Sequence, residues 1–132
     1  MVYKEAIQEI FQEITMTAIK LYTDIEQSKK LAAILSLESA DMCWTKYIDD
    51  GEVTSLHATV NYGIVPIEYP CWSLAKLLDI LKDKIIFGGA SDKEWFVSYT
   101  TKNPTKVSFI YKSNLVDACV AMIIKLKELN LL

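Results

Sequence analysis

Apolar residues recur at three- and four-residue spacing through residues 3–25: Tyr3, Ile7, Ile10, Phe11, Ile14, Ala18, Leu21, Tyr22 and Ile25. That spacing predicts one face of an amphipathic helix. Glu5, Glu9, Gln12, Glu13 and Lys20 fill the opposite face. Glu5, Glu9 and Glu13 form an acidic row at i, i+4, either a solvated face or a docking face for a basic partner. Residues 26–37 predict a second, short helix that buries Leu31, Ile34 and Leu35. Ser36, Glu38, Ser39 and Asp41 then break the pattern. Met42–Ile48 reads as extended, around Trp44 and Tyr47. Asp49-Asp50-Gly51 is a turn signal, because Asp-Gly suits positive φ. Val53–Val60 is the expected return strand of a hairpin. Tyr62–Pro70 reads as a loop, since Gly63, Pro66 and Pro70 exclude a helix.

Ser73 is a good N-cap for the next helix. Its apolar stripe is Leu74, Leu77, Leu78 and Leu81, with Lys76, Asp79, Lys82 and Asp83 outside. Three strands are predicted next, at Lys84–Phe87, Glu94–Thr100 and Lys106–Tyr111. Gly88-Gly89 and Lys102-Asn103-Pro104 mark the turns between them. Trp95, Val97 and Tyr99 share one face of their strand. Val107, Phe109 and Tyr111 are expected to line the same side of the next one. The last helix starts near Asn114, with Asp117 placed as the reciprocal member of a capping box. Apolar residues surround most of it, from Leu115 to Leu129, so it needs cover on two sides. The sheet supplies one side. The helix of residues 3–25 or a second subunit is expected to supply the other.

The resulting expectation is an α+β fold in one domain, residues 1–132. It has an antiparallel meander of three or more strands, helices packed on one face, and the last helix C-terminal. A chain of 132 residues buries about two-thirds of its unfolded surface, so its core needs no disulfide or metal. Its composition, 52% hydrophobic and 23% charged, is globular and leans apolar. Part of that apolar surplus points to a subunit contact.

Charge narrows the partners. The formal net charge is -3, and all fourteen basic residues are lysines. Without arginine the chain lacks the planar fork used for bidentate phosphate and guanine contacts, so nucleic acid is a disfavoured partner. Cys43, Cys71 and Cys119 are odd in number and far apart, which is neither a disulfide framework nor a zinc spacing. A reducing cytoplasm is the expected compartment. The N-terminal segment carries no signal-peptide core, and no apolar run reaches the ~20 residues that span a membrane.

The phrases E-Q-S-K-K-L-A (26–32), S-A-D-M-C-W (39–44), Y-P-C-W-S-L-A-K-L-L (69–78) and N-L-V-D-A-C-V-A-M-I-I-K-L-K-E-L (114–129) resemble a family of small uncharacterised proteins. These occur in gut Bacteroides-type bacteria and their prophages. The resemblance covers residues 26–132 and implies a cytoplasmic setting linked to mobile elements. It brings no activity, ligand or catalytic residue with it.

Candidate chemistry centres on two Cys-Trp dipeptides, Cys43-Trp44 and Cys71-Trp72, and on the single histidine, His57. Two thiols near a histidine can form a nucleophile pair or part of a metal site. Cysteine beside tryptophan is also ordinary core composition. Cys119 lies inside the apolar last helix and reads as core. Asp49 and Asp50 lack the D-x-D-x-D-G series of a calcium loop, and Gly88-Gly89 lacks a phosphate-loop frame. Tyr62, Tyr69, Trp72, Trp95, Tyr99 and Tyr111 either line a groove or bridge sheet and helices. Tyr69 and Trp72 are the best groove candidates because they border a loop.

No catalytic residue, cofactor or metal is therefore assigned. The expected function is that of a non-enzymatic interaction or accessory protein that self-associates and binds an unidentified protein partner. A small thiol-dependent enzyme or ligand-binding domain using Cys71 and His57 is the alternative. A nucleic-acid-associated accessory protein comes third.

Overall fold

Helix α1, Ile25–Ala32, starts where Asp24 and Gln27 form a reciprocal capping box. The Gln27 backbone N–H donates to Asp24 Oδ1 at 2.8 Å, and the Asp24 N–H donates to Gln27 Oε1 at 3.1 Å. In a computed structural model of the chain, the described residues are 20–49, 52–60, 69–91, 93–102 and 105–132. The helix expected over 3–25 therefore falls mostly outside them. Its last part, residues 20–24, is extended rather than helical, and Tyr22 forms an isolated bridge with Ser73. The expected helix over 26–37 ends early, at Ala32, and a short 3-10 turn follows at Leu37–Ser39.

Strands β1, Met42–Asp49, and β2, Glu52–Val60, form the expected hairpin. A third strand, β3, Tyr69–Cys71, lies in what reads as loop and pairs with the other side of β1. Helix α2, Leu74–Leu81, begins at Ser73, whose hydroxyl accepts from the Lys76 N–H. Asp41 fixes this cap by accepting from both the N–H and the hydroxyl of Ser73.

The second sheet is the meander β4, Ile86–Ser91, β5, Glu94–Lys102, and β6, Thr105–Lys112, with β5 central. Helix α3, Leu115–Glu128, follows with Asn114 as its cap, Oδ1 accepting from the Asp117 N–H at 2.8 Å, but the Asp117 carboxylate accepts from the Asn114 side-chain amide rather than closing a capping box on its backbone. The fold is α+β, and the described residues form two antiparallel three-stranded sheets with the last helix C-terminal.

One buried cluster unites Leu31, Trp72, Leu77, Leu81, Val97, Tyr99 and the inward residues of α3. α3 has the double cover its composition demands. β5 and β6 lie on one side, and α2 with part of α1 lies on the other.

Two expectations about the meander change. Gly88-Gly89 is not its first turn but lies inside β4, opposite Phe96 and Trp95. The second change is larger. Lys102 pairs with Thr105, so Val97 faces Ile110 and Phe96 faces Tyr111. Val107, Phe109 and Tyr111 therefore share the face of Phe96 and Ser98, not the core face of Val97 and Tyr99. A one-residue change of register moves every side chain to the other face.

Candidate functional site

The cysteines and the histidine do not form a site. Cys71 pairs with Met42 and Cys43 with Pro70, so their side chains leave opposite faces of the first sheet. His57, on β2 opposite Thr45, shares the Cys43 face and is exposed. The Cys43 thiol sits among hydroxyls, 3.5 Å from Thr59 Oγ1 and 3.7 Å from Thr45 Oγ1.

Cys71 is fully buried and donates to the Thr23 carbonyl at 3.5 Å. Burial pushes its thiol pKa up, against partial relief from hydrogen bonds with Thr23 and Ser28. Burial likewise pushes Cys119 up to about 12. An activated thiol needs the opposite shift. Among the described residues no three His, Cys, Asp or Glu side chains gather as a metal site requires.

The groove expected at Tyr69 and Trp72 is not formed by the pair. Trp72 is wholly enclosed in the core. Its Nε1 donates to Ser39 Oγ at 3.0 Å and its backbone N–H to Thr23 Oγ1 at 3.1 Å, so its polar atoms are satisfied inside. Tyr69 is half-buried, lies across from Trp44, and carries Lys29 Nζ 5.7 Å from its ring centre.

Next to it is a shallow depression of about 310 Å³ lined by Lys20, Leu21, Tyr22, Asp24 and Trp44. The Tyr22 and Trp44 rings meet edge to face at 5.8 Å. Trp44 Nε1 is shielded from water and finds no acceptor among the described residues. The charged side is already engaged, because Lys20 Nζ lies 2.9 Å from both Asp24 and Asp117.

The most distinctive surface is the outer face of the second sheet. Helices cover the inner face, where Val97 and Tyr99 are buried and Ile110 packs against the core. On the outer face Phe96, Phe109 and Tyr111 form an aromatic cluster. Phe96 meets Phe109 at 5.9 Å and 62°, and Phe109 stacks on Tyr111 at 6.1 Å and 22°. Both geometries are favourable for aromatic pairs.

Gly88 lies opposite Phe96, and an added Cβ there would meet the ring at 3.0 Å. The aromatic ring thus covers the bare glycine, a known way to stabilise a strand glycine. Ile86, Val107, Phe109 and Tyr111 are exposed by 69%, 49%, 52% and 52%. A one-sided antiparallel sheet normally turns polar residues outward, and this one turns these four apolar side chains outward beside Ser98 and Thr100.

Sequence reasoning missed this surface through the second turn. A three-residue turn at 102–104 would put Phe109 on the core side. Pairing of Lys102 with Thr105 leaves two residues between the strands and reverses the phase. The two-residue Asn103-Pro104 spacing was the available signal.

No helix among the described residues is long and apolar enough to cross a membrane. No family model, curated protein or solved structure matches the chain.

Proposed function

We propose that this chain is a non-enzymatic interaction protein, an accessory factor of a bacterium or its mobile elements, acting in a reducing cytoplasm. Its contact surface is the outer face of the β4–β6 sheet. The observation that carries this reading is the Phe96–Phe109–Tyr111 cluster, with Phe109 and Tyr111 exposed, in a phase where water-facing residues belong. Apolar aromatic surface of this kind is typical of the centre of a protein contact.

The rival thiol reading has less support, since Cys71 is sealed in the core and His57 leaves the other face of its sheet. The lack of arginine speaks against a phosphate-rich partner.

Affinity capture from host extract tests the proposal, with wild type compared against a Tyr111→Lys variant. Proteins retained by the wild type are expected to be lost from the variant. Identical captures, or rapid modification of Cys71 by a thiol reagent in the folded protein, would count against the proposal.

A further inference from the structure

We infer that the occupant of the outer sheet face is the same face of a second copy, packed sheet on sheet about a twofold axis. This rests on the reading that the face is a contact surface, and it names the partner.

Area is the first argument. From the exposed fractions of Ile86, Val107, Phe109 and Tyr111, the face offers about 400–500 Å² of apolar surface. A standard interface takes about 800 Å² from each partner, of which roughly 60% is apolar. The face therefore supplies nearly the whole apolar share that a symmetric pair requires.

Charge is the second argument. A twofold contact sets a surface against itself, so any concentrated charge would repel its own copy. Between its ends this face carries only apolar, glycine and hydroxyl-bearing residues. By register two charged positions share its phase, Glu94 at the start of β5 and Lys102 at its end, of opposite sign and one at each end. Its middle therefore carries no charge that would repel a second copy.

Relief is the third argument. One row across the sheet runs Ile86, Ser98, Phe109. The outer two protrude, while Ser98 between them is only 5% exposed and its hydroxyl donates to the Ile86 carbonyl. A row of high, low, high can interdigitate with its own copy, as facing sheets do at about 10 Å separation.

Sedimentation equilibrium of the full chain, run from low to high micromolar concentration, tests the inference. A monomer–dimer equilibrium is expected, with binding of a hydrophobic dye falling as dimer forms. Phe109→Lys and Ile86→Lys should each weaken association at least about tenfold, the effect of charging the centre of a contact. Both positions are exposed, so near-ultraviolet circular dichroism should remain that of the wild type. Lys29→Glu, on the exposed side of α1, should leave association unchanged.

A wild type that stays monomeric throughout overturns the inference. So does a dimer that both lysine variants leave intact. If the wild type is monomeric yet Tyr111→Lys still abolishes capture of a host protein, the second copy is wrong and the interaction reading stands. If the chain dimerises through this face but captures no other protein, the second copy is the whole partner.

Discussion

Asp117 ties the first described residues to the last helix. Its Oδ1 accepts from Lys20 Nζ at 2.9 Å and from Gln27 Nε2 at 2.7 Å, and its Oδ2 accepts from Asn114 Nδ2 at 2.8 Å. Burial alone would raise its pKa. The hydrogen bonds from Lys20, Gln27 and Asn114 outweigh that and hold it below the usual carboxylate range. Asp24 is lowered in the same way: burial is outweighed by the Gln27 N–H and by Lys20. For Lys20, burial lowers the pKa, but the bonds to Asp117 and Asp24 win and leave it raised above 10.5.

A lowered carboxylate stabilises the fold fully above its unfolded pKa, near 4, and loses that contribution as pH falls through the native value. A raised lysine contributes below its unfolded pKa and loses the contribution as pH rises through the native one. Thermal stability is therefore expected to be level from about pH 5 to 9 and to decline beyond both ends. Asp117→Asn should cost about 1–2 kcal/mol at pH 7, because hydrogen bonds to a charged group are being weakened. Calorimetry from pH 7 to pH 3 checks both points, since the variant's deficit should shrink in acid.

Among the elements, the meander carries the sharpest local signal. Gly88 sits in β4 because a side chain there would collide with the Phe96 ring. Gly88→Val should displace that ring at a cost of about 1 kcal/mol, the low end for overpacking, since the ring is at the surface and can yield. Denaturant titration reads the cost, and loss of the Phe96–Phe109 contact should appear as shifted ring resonances.

Much of this level was legible in the chain. Ser73 and Asn114 announced their helices through side-chain oxygens that only a helix start needs. Trp95, Val97 and Tyr99 announced β5 by alternation, although Trp95 remains partly exposed at the sheet's end. β3 stayed hidden because Tyr69–Cys71 is three residues long and contains Pro70, so no alternation could develop. The facing of β6 stayed hidden for a different reason. Alternation gives the period of a strand but not its phase, and here the turn sets the phase. The surface of greatest interest was therefore readable as β-structure but not as surface.

Over the whole molecule, two kinds of pairing coexist. From Leu74 to Glu128, helix, meander and helix follow in order, joined by short connections. The strip Leu21–Thr23, outside both sheets, closes over a much longer span. Leu21 and Thr23 bond to Leu74 and Trp72 across about fifty residues: the Leu74 N–H donates to the Leu21 carbonyl at 2.7 Å, and the Thr23 N–H to the Trp72 carbonyl at 3.0 Å. Thr23 then sets its buried hydroxyl against Ser28 and Trp72.

That clasp has a consequence for the order of events in folding. Each long closure loses chain entropy before it gains contacts, whereas the meander gains its contacts at once. The C-terminal half should form first. The strip Leu21–Thr23 should close last and open first. Native-state hydrogen exchange would show this as slow exchange at Val97 and Tyr99 and faster, locally gated exchange at Thr23 and Leu74. Equal protection at all four amides would mean that the two halves fold as one unit. Otherwise the clasp acts as the latch of the molecule, the step that turns a nearly finished half into a closed whole.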